Sequence, residues 1–177
     1  MKKFLTMFTF LFSMIFAVVF AGNIYAQSAT DISDNNYAFK LSLGSDWKKS
    51  KTEETTNKDA ISYTFDKKDG KDAIMLLAFK VESIKSLDDL VYTLEKDMTL
   101  NIPKKDGGYT NFSNGNVEGR SAVYKDNEFG EKIFYYRTQN TDGQNYTYML
   151  RFITSAANFS AAEKDFDKIA KAFKANN

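Results

Sequence analysis

Short segments with large apolar residues at every second position predict the strands of a β-sheet. The first segment runs from Tyr37 to Leu43, and the second contains Ile61, Tyr63 and Phe65. The segment from Ala73 to Val81 is apolar at nearly every position, which indicates a strand that is buried on both faces and lies inside the sheet. The remaining predicted strands are Val117 to Lys125, Lys132 to Gln139 and Gln144 to Thr154.

The last two predicted strands form a hairpin. Asp142-Gly143 separates them, and both residue types tolerate the positive φ that a tight turn requires. A loop of two or four residues gives the same side-chain parity, and both faces of the hairpin then carry large apolar groups that must be covered. One face is predicted to carry Ile133, Tyr135, Tyr146, Tyr148, Leu150 and Phe152, and the other Phe134, Tyr136, Met149 and Ile153 with Lys132, Thr147 and Arg151.

Two segments carry apolar residues at helical spacing, and we expect these two helices to cover the two apolar faces of the sheet. The first helix is predicted to begin after Ser86 as N-cap and to end at Pro103. The second is predicted to begin after Asn158 or Ser160. The apolar stripes are Leu87, Leu90, Val91, Leu94 and Met98 in the first helix, and Ala162, Phe166, Ile169, Ala170 and Phe173 in the second.

The order of strands, helix, further strands and terminal helix predicts an α+β fold, in which an antiparallel sheet is sandwiched between two helices. Residues 37–174 form a single predicted domain, preceded by a polar and flexible leader over residues 27–36. A chain of this length buries about 70% of its unfolded surface, so it can form a core without disulfides. The absence of cysteine agrees with that expectation.

Residues 1–26 have the three parts of a secretory signal peptide. A basic start, Met1-Lys2-Lys3, precedes an apolar run from Phe4 to Phe20, and Ala26 supplies the small residue before the expected cleavage. The alternative is an uncleaved membrane anchor, because the run is about as long as a thin span requires. The small residues at its exit favour cleavage, and no cysteine is present for a lipid anchor. We therefore expect a periplasmic or secreted protein with no stable membrane insertion after cleavage.

The charge and composition of the mature chain exclude several classes of function. Without Lys2 and Lys3 the chain has 22 basic and 23 acidic side chains, a net charge of −1, which gives no reason to expect nucleic acid as a partner. The sequence has no His and no Cys, which excludes Ser-His and Cys-His nucleophiles, thiol redox chemistry and the usual zinc ligands. Paired carboxylates remain possible, but no pair is distinguished by its spacing. The sequence therefore predicts no enzyme, no catalytic residue, no cofactor and no metal; the segment from Asp66 to Asp72 has the wrong spacing for a calcium loop, and its lysines would repel a cation.

The chain resembles the PsbP-like proteins along most of its mature length. Tyr37-Ala38-Phe39-Lys40-Leu41-Ser42-Leu43 and the following Trp47 resemble the opening F-x-F-x-x-P-x-x-W motif of that family, although the proline is missing. The helix start at Ser86, the strand start at Gly119 and the ending from Phe166 to Phe173 occupy matching places. The resemblance implies a PsbP-like α/β/α sandwich and a non-enzymatic binding or accessory module. It implies no particular partner.

Tyrosine and arginine concentrate on the predicted hairpin, and this composition is typical of interaction hot spots. The alternative is that these residues belong to the core and edge of a sheet, where aromatic residues are favoured in any case. Trp47 is either a plug at one end of the core or a surface on which a ligand stacks. The candidate partner-binding residues are Tyr135, Tyr136, Arg137, Tyr146, Tyr148, Arg151 and Trp47.

Two functions follow as hypotheses. The first is an exported accessory or binding protein of the cell envelope that recognises a protein partner through an aromatic sheet edge or the loop from Lys104 to Asn116. The second is a carrier of a small apolar ligand, held in a pocket between sheet and helix.

Overall fold

In a computed structural model of the protein, the described residues are 30–80, 82–97, 100–114, 117–139 and 145–175. The predicted signal peptide lies outside these residues. The strands are β1 (Asp31–Asp34), β2 (Phe39–Ser42), β3 (Trp47–Glu54), β4 (Ala60–Lys67), β5 (Asp72–Phe79), β6 (Lys105–Asn114), β7 (Val117–Lys125), β8 (Phe129–Gln139), β9 (Asn145–Ser155) and β10 (Lys174–Ala175). The helices are α1 (Leu87–Glu95) and α2 (Phe159–Ala172).

The strands form two antiparallel sheets. The larger has seven strands in the order β3-β4-β5-β9-β8-β7-β6, and the smaller has three in the order β1-β2-β10. The predicted α+β class and the antiparallel sheet between two helices are confirmed, and the small sheet is an addition to them. The strand predicted over Ala73 to Val81 is β5, which pairs with β4 and β9 and carries buried apolar side chains on both faces.

One helix covers each face of the large sheet. Phe166, Ala170 and Phe173 pack with Phe39, Leu41 and the small sheet in a core on one face. Leu90, Val91 and Leu94 of α1 pack on the other face against Ile133, Tyr135 and Met149. The two faces therefore have separate cores, and the sheet forms the wall between them.

The hairpin of β8 and β9 has a different register from the one that the sequence predicted. Gln139 pairs with Asn145, which leaves an odd number of residues between the strands. The prediction of an even-numbered loop was therefore wrong. A change of one residue in the loop length moves the side chains of one strand to the opposite face of the sheet. Phe134 and Tyr136 therefore share the α2 face with Tyr146, Tyr148, Leu150 and Phe152, and Ile133 and Tyr135 share the α1 face with Met149 and Arg151.

The helix starts agree well with the sequence pattern. The side chain of Ser86 accepts a hydrogen bond from the Asp89 amide, as an N-cap does. Helix α1 ends at Glu95, well before Pro103, and Met98 of the predicted stripe lies outside the described residues. Asn158 occupies the N-cap position of α2 without a side-chain hydrogen bond to the helix.

Three segments outside the predicted strands contain strands. Residues 27–36 were predicted as a flexible leader, but Asp31–Asp34 forms β1 and pairs with β2. The charged segment that follows Trp47 forms most of β3, an edge strand whose side chains are largely exposed. Lys105–Asn114 forms β6 at the other edge, where we expected mostly loop. Edge strands need few apolar residues, because little of their surface is buried, so periodicity does not reveal them.

Candidate functional site

Most of the predicted partner-binding residues lie in the interior. Six of the seven expose at most 6% of their surface, which leaves only Arg137 partly exposed. These six side chains expose little surface to a partner, and their role in partner binding stays a prediction. The alternative, that they are core residues of the sheet, describes them. The buried six are Tyr135, Tyr136, Tyr146, Tyr148, Arg151 and Trp47.

The buried tyrosine hydroxyls hold separate elements together. The Tyr148 hydroxyl donates to the backbone oxygens of Tyr37 and Ala38, at 2.9 and 3.0 Å, and so joins β9 to the segment that precedes β2. The Tyr136 hydroxyl donates to the Ala170 oxygen at 2.9 Å and joins β8 to α2. These bonds explain why tyrosine occupies these core positions in place of phenylalanine.

The buried tyrosines make the stability of the fold pH-dependent at high pH. Burial raises the pKa of Tyr135, Tyr136 and Tyr148 above the ordinary value of 10.0. In the unfolded chain these hydroxyls ionise near pH 10, whereas the folded chain keeps their protons. The folded state then binds more protons than the unfolded state, so the free energy of unfolding falls as the pH rises above about 10.

We expect urea unfolding midpoints to decrease above about pH 10, and the absorbance of tyrosinate from these side chains to increase only as the chain unfolds. The Tyr136→Phe variant should show a smaller decrease, since one titrating group is removed. Ionisation of all tyrosines in the folded state, with an unchanged midpoint, would contradict this expectation.

Arg151 belongs to a buried ion pair. Its guanidinium donates to both carboxylate oxygens of Glu131, at 2.6 and 2.7 Å, and to the backbone oxygen of Leu100 at 2.7 Å. Both side chains are buried, Arg151 at 5% and Glu131 at 3% exposure. Burial raises the pKa of Glu131, and the adjacent Arg151 opposes that shift. The pair fixes the segment that follows α1 to the middle of the sheet.

Arg137 and Trp47 also contact other residues of the protein. Arg137 lies 3.6 Å from the exposed carboxylate of Glu118 and donates to the Asn145 side chain at 3.2 Å. Trp47 packs in the core on the α2 face, and its backbone oxygen accepts a hydrogen bond from Thr30 at 2.8 Å. Of the two interpretations of Trp47, the plug at one end of the core agrees with its burial.

An open groove lies on the α2 face of the large sheet. Helix α2 covers β8 and β9, and the neighbouring strands β7 and β6 extend beyond it, so that a space of about 870 Å³ remains between the helix and the sheet edge. We call this space the α2 groove. Its floor and walls include Phe112, Ser121, Phe134, Tyr136, Asp167 and Lys171.

The floor of the α2 groove is aromatic at one end. Phe112 of β6 lies across Gly119 of β7, where an added Cβ atom would come within 2.0 Å of the phenyl ring. The ring contacts Tyr136 edge-on, at 5.6 Å between centroids, and Tyr136 contacts Phe173 at 4.7 Å. Gly119 thus allows an aromatic side chain from the edge strand to extend the apolar surface of the core into the groove.

Charged side chains line the groove above this floor. At one end the Lys132 ammonium lies 2.9 Å from Glu163 and 2.7 Å from Asp167. Burial lowers the pKa of Lys132, but the hydrogen bonds and the charges of these two carboxylates outweigh it, and the pKa lies above its ordinary value. Lys171 and Lys174 are exposed at the opposite end, beside Phe173.

The groove offers contacts for binding and few groups for catalysis. Glu163 and Asp167 lie one turn apart on the same helix and both contact Lys132, so they do not face each other across a cleft as a catalytic carboxylate pair does. In the described ranges, no group of His, Cys, Asp and Glu side chains has an arrangement that could hold a metal ion.

The sequence did not indicate the groove. Its floor includes β6, which was predicted mostly as loop, and its wall includes Glu163, Asp167 and Lys171 of α2, which lie outside the predicted apolar stripe. The one signal available was Gly119, a residue without a side chain near the start of a predicted strand. A glycine in a strand can mark a close approach of another group, but nothing in the sequence names Phe112 as that group.

The fold is that of the PsbP-like proteins. Among solved structures, the chain is similar to PsbP (CyanoP) from the cyanobacterium Synechocystis sp. PCC 6803, with 13% sequence identity and a TM-score of 0.55, over 89% of this chain and 98% of that one. It is also similar to the Ran-binding protein Mog1p of Saccharomyces cerevisiae, with 7% identity and a TM-score of 0.52, over 83% and 95% of the two chains. A protein from Bacteroides thetaiotaomicron matches with 12% identity and a TM-score of 0.50, over 85% of this chain and 50% of that one.

These similarities establish the fold and leave the function open, because one fold carries many functions. No protein-family model matches the chain, and a search of curated proteins finds no match. None of the helices in the described ranges has the length and apolar character needed to cross a membrane.

Proposed function

We propose that the protein is a non-enzymatic binding protein of the cell envelope, and that it holds an extended segment of a partner protein in the α2 groove. The observation that carries this proposal is the groove of about 870 Å³ with its aromatic floor. An apolar surface inside a groove with a charged rim is the usual form of a peptide-binding site. The signal peptide predicted for residues 1–26 supports the location.

The sheet edge beside the groove favours an extended partner. Strand β6 is the last strand of the large sheet, so alternate backbone N–H and C=O groups point away from β7. A peptide that pairs with these groups can turn every second side chain towards Phe112 and the groove. The register between β6 and β7 is irregular between Asp106 and Thr110, so the regular part from Thr110 to Asn114 is the part suited to pairing.

A small apolar ligand is the alternative occupant. Phe112, Phe134 and Phe173 would contact such a ligand, and burial of an apolar chain on them would be favourable. Several observations favour the peptide. The groove opens to solvent beside a sheet edge, and many of its lining side chains are charged. A purely apolar ligand would offer no partner to Lys171 and Lys174, which form no ion pair in the described part of the chain.

The groove can be tested by site-specific photo-cross-linking in the organism that produces the protein. A photoreactive phenylalanine at Thr110, which is exposed in the groove, should cross-link to one partner protein. The matched control is the same group at Lys164, which is exposed on α2 and does not line the groove. We expect a product from the first position and none from the second.

Filling the groove should abolish the cross-link. Ser121→Trp and Val123→Trp each place a large ring in the groove from β7, and circular dichroism identifies the variant that keeps the fold. Loss of the product in a folded variant supports the groove as the site. Equal products from Thr110 and Lys164, or an unchanged product in a folded variant, would contradict the proposal. A bound lipid or other small apolar molecule, found by mass spectrometry of the purified protein and absent from the folded variant, would favour the alternative.

A further inference from the structure

The two ends of the α2 groove carry opposite charge. Glu163 and Asp167 share the single ammonium of Lys132, which leaves an excess of negative charge at that end. Lys171 and Lys174 lie at the other end, and neither forms an ion pair in the described part of the chain. The groove is therefore polarised along its length.

The register of the strands places these charges at separate levels. Asp106 on β6, Val123 on β7 and Lys132 on β8 lie side by side at the acidic end. Phe112, Gly119 and Tyr136 lie side by side at the other level, where Tyr136 contacts Phe173 and the lysines of the C-terminal segment follow. The groove thus runs parallel to the strands, from the carboxylates to the lysines, with the aromatic floor adjoining the lysines.

The basic end has more lysine than the fold requires. Lys174 of β10 pairs directly with Lys40 of β2, and both side chains are exposed. Like charges in such a pair repel each other and weaken a sheet. Lys171 adds a third positive charge, although there it also compensates the carboxyl end of α2. An anionic group bound between these lysines would relieve the repulsion.

We propose that the α2 groove selects the direction and the charge of its occupant, which is an extended segment of a partner protein with acidic residues beside Lys171 and Lys174 and apolar residues over Phe112 and Tyr136. This inference rests on the proposed function. It adds the chemistry of the partner. The excess negative charge at the Glu163 end disfavours a segment that lies in the opposite direction.

A displayed library of random peptides, selected on the full mature protein, tests the inference without knowledge of the partner. We expect enriched sequences to have Asp or Glu at one end, next to aromatic or β-branched residues at alternate positions. The affinity of a synthetic peptide of this kind should fall by about tenfold in the double variant Lys171→Glu with Lys174→Glu, since two attractions become repulsions. Its affinity should also decrease with increasing salt.

The matched control is Lys164→Glu with Lys168→Glu, which reverses two exposed lysines of the same helix that do not line the α2 groove. This control should bind the peptide with unchanged affinity. Enriched peptides that require an open groove but show no acidic end, or that bind the double variant at Lys171 and Lys174 normally, would overturn this inference and leave the proposed function intact. Enriched peptides that bind the folded Ser121→Trp or Val123→Trp variant normally would overturn both.

Discussion

Replacement of Arg151 by methionine should reduce the free energy of unfolding by about 3–5 kcal/mol. The substitution leaves the Glu131 carboxylate at 3% exposure without its bidentate partner, and it removes the donor that the Leu100 oxygen contacts at 2.7 Å. A buried carboxylate without a partner must take up a proton or draw water into the core, and either costs stability. Urea unfolding of the variant at neutral pH measures the loss.

The control for Arg151 is an exposed ion pair of similar distance. Lys125 lies 3.2 Å from Asp106, and both side chains are largely exposed, so Lys125→Met should cost less than about 1 kcal/mol. The double variant Arg151→Met with Glu131→Leu should recover part of the loss, because it removes both buried charges together. A cost at Arg151 no larger than the cost at Lys125 would contradict this account of the pair.

Truncation of Phe166 to alanine should also cost about 3–5 kcal/mol. Phe166 is 1% exposed and stacks on Phe152 of β9 with ring centroids 4.8 Å apart. The substitution leaves a cavity between α2 and the middle of the large sheet, and the surrounding strands can close it only in part. The loss should appear as a lower midpoint of urea unfolding with a similar slope.

Lys164→Ala is the control for Phe166, because it lies on the exposed face of the same helix and should change stability by less than about 0.5 kcal/mol. The helix is also the wall of the α2 groove. If Phe166→Ala were as stable as the control, α2 would not be held by its apolar stripe, and the groove would have no fixed shape.

The charge asymmetry of the groove should affect the association rate as well as the affinity. In the proposed binding mode, exposed lysines at one end would attract an acidic segment before contact, which would increase the association rate more than it would decrease the dissociation rate. The aromatic floor acts after contact, through burial of apolar side chains. Variants at Lys171 and Lys174 should therefore change the association rate, whereas variants that fill the groove should remove binding altogether.

Local patterns predicted much of the fold because they reflect which residues must avoid water. The apolar stripe of α2 is visible in the sequence, since Phe166, Ala170 and Phe173 recur at helical spacing and all three are buried. The continuous apolar run of β5 likewise indicated an inside strand. The sequence indicated the N-cap at Ser86 because the hydrogen bond between Ser86 and Asp89 is local.

Long-range contacts are the part of the structure that local patterns did not predict. The faces of the hairpin were exchanged because one residue in the loop changes the parity of every pair, and the loop sequence does not fix its own length. Arg151 and the hairpin tyrosines have the composition of a binding surface, but their partners in the core are far away in sequence, such as Glu131 for Arg151 and Tyr37 for Tyr148. Composition does not distinguish a buried polar group with a partner from an exposed one.

The sequence by itself determined the class of fold and most of the helices and inner strands, because the separation of apolar from polar residues along each segment is a local property. The tertiary structure alone decided where α2 stops covering the sheet, and hence that a groove remains over β6 and β7 with opposite charges at its ends. The physical reason is that a groove is surface left uncovered by packing. It depends on how the elements are placed relative to one another, which no single segment of the chain encodes.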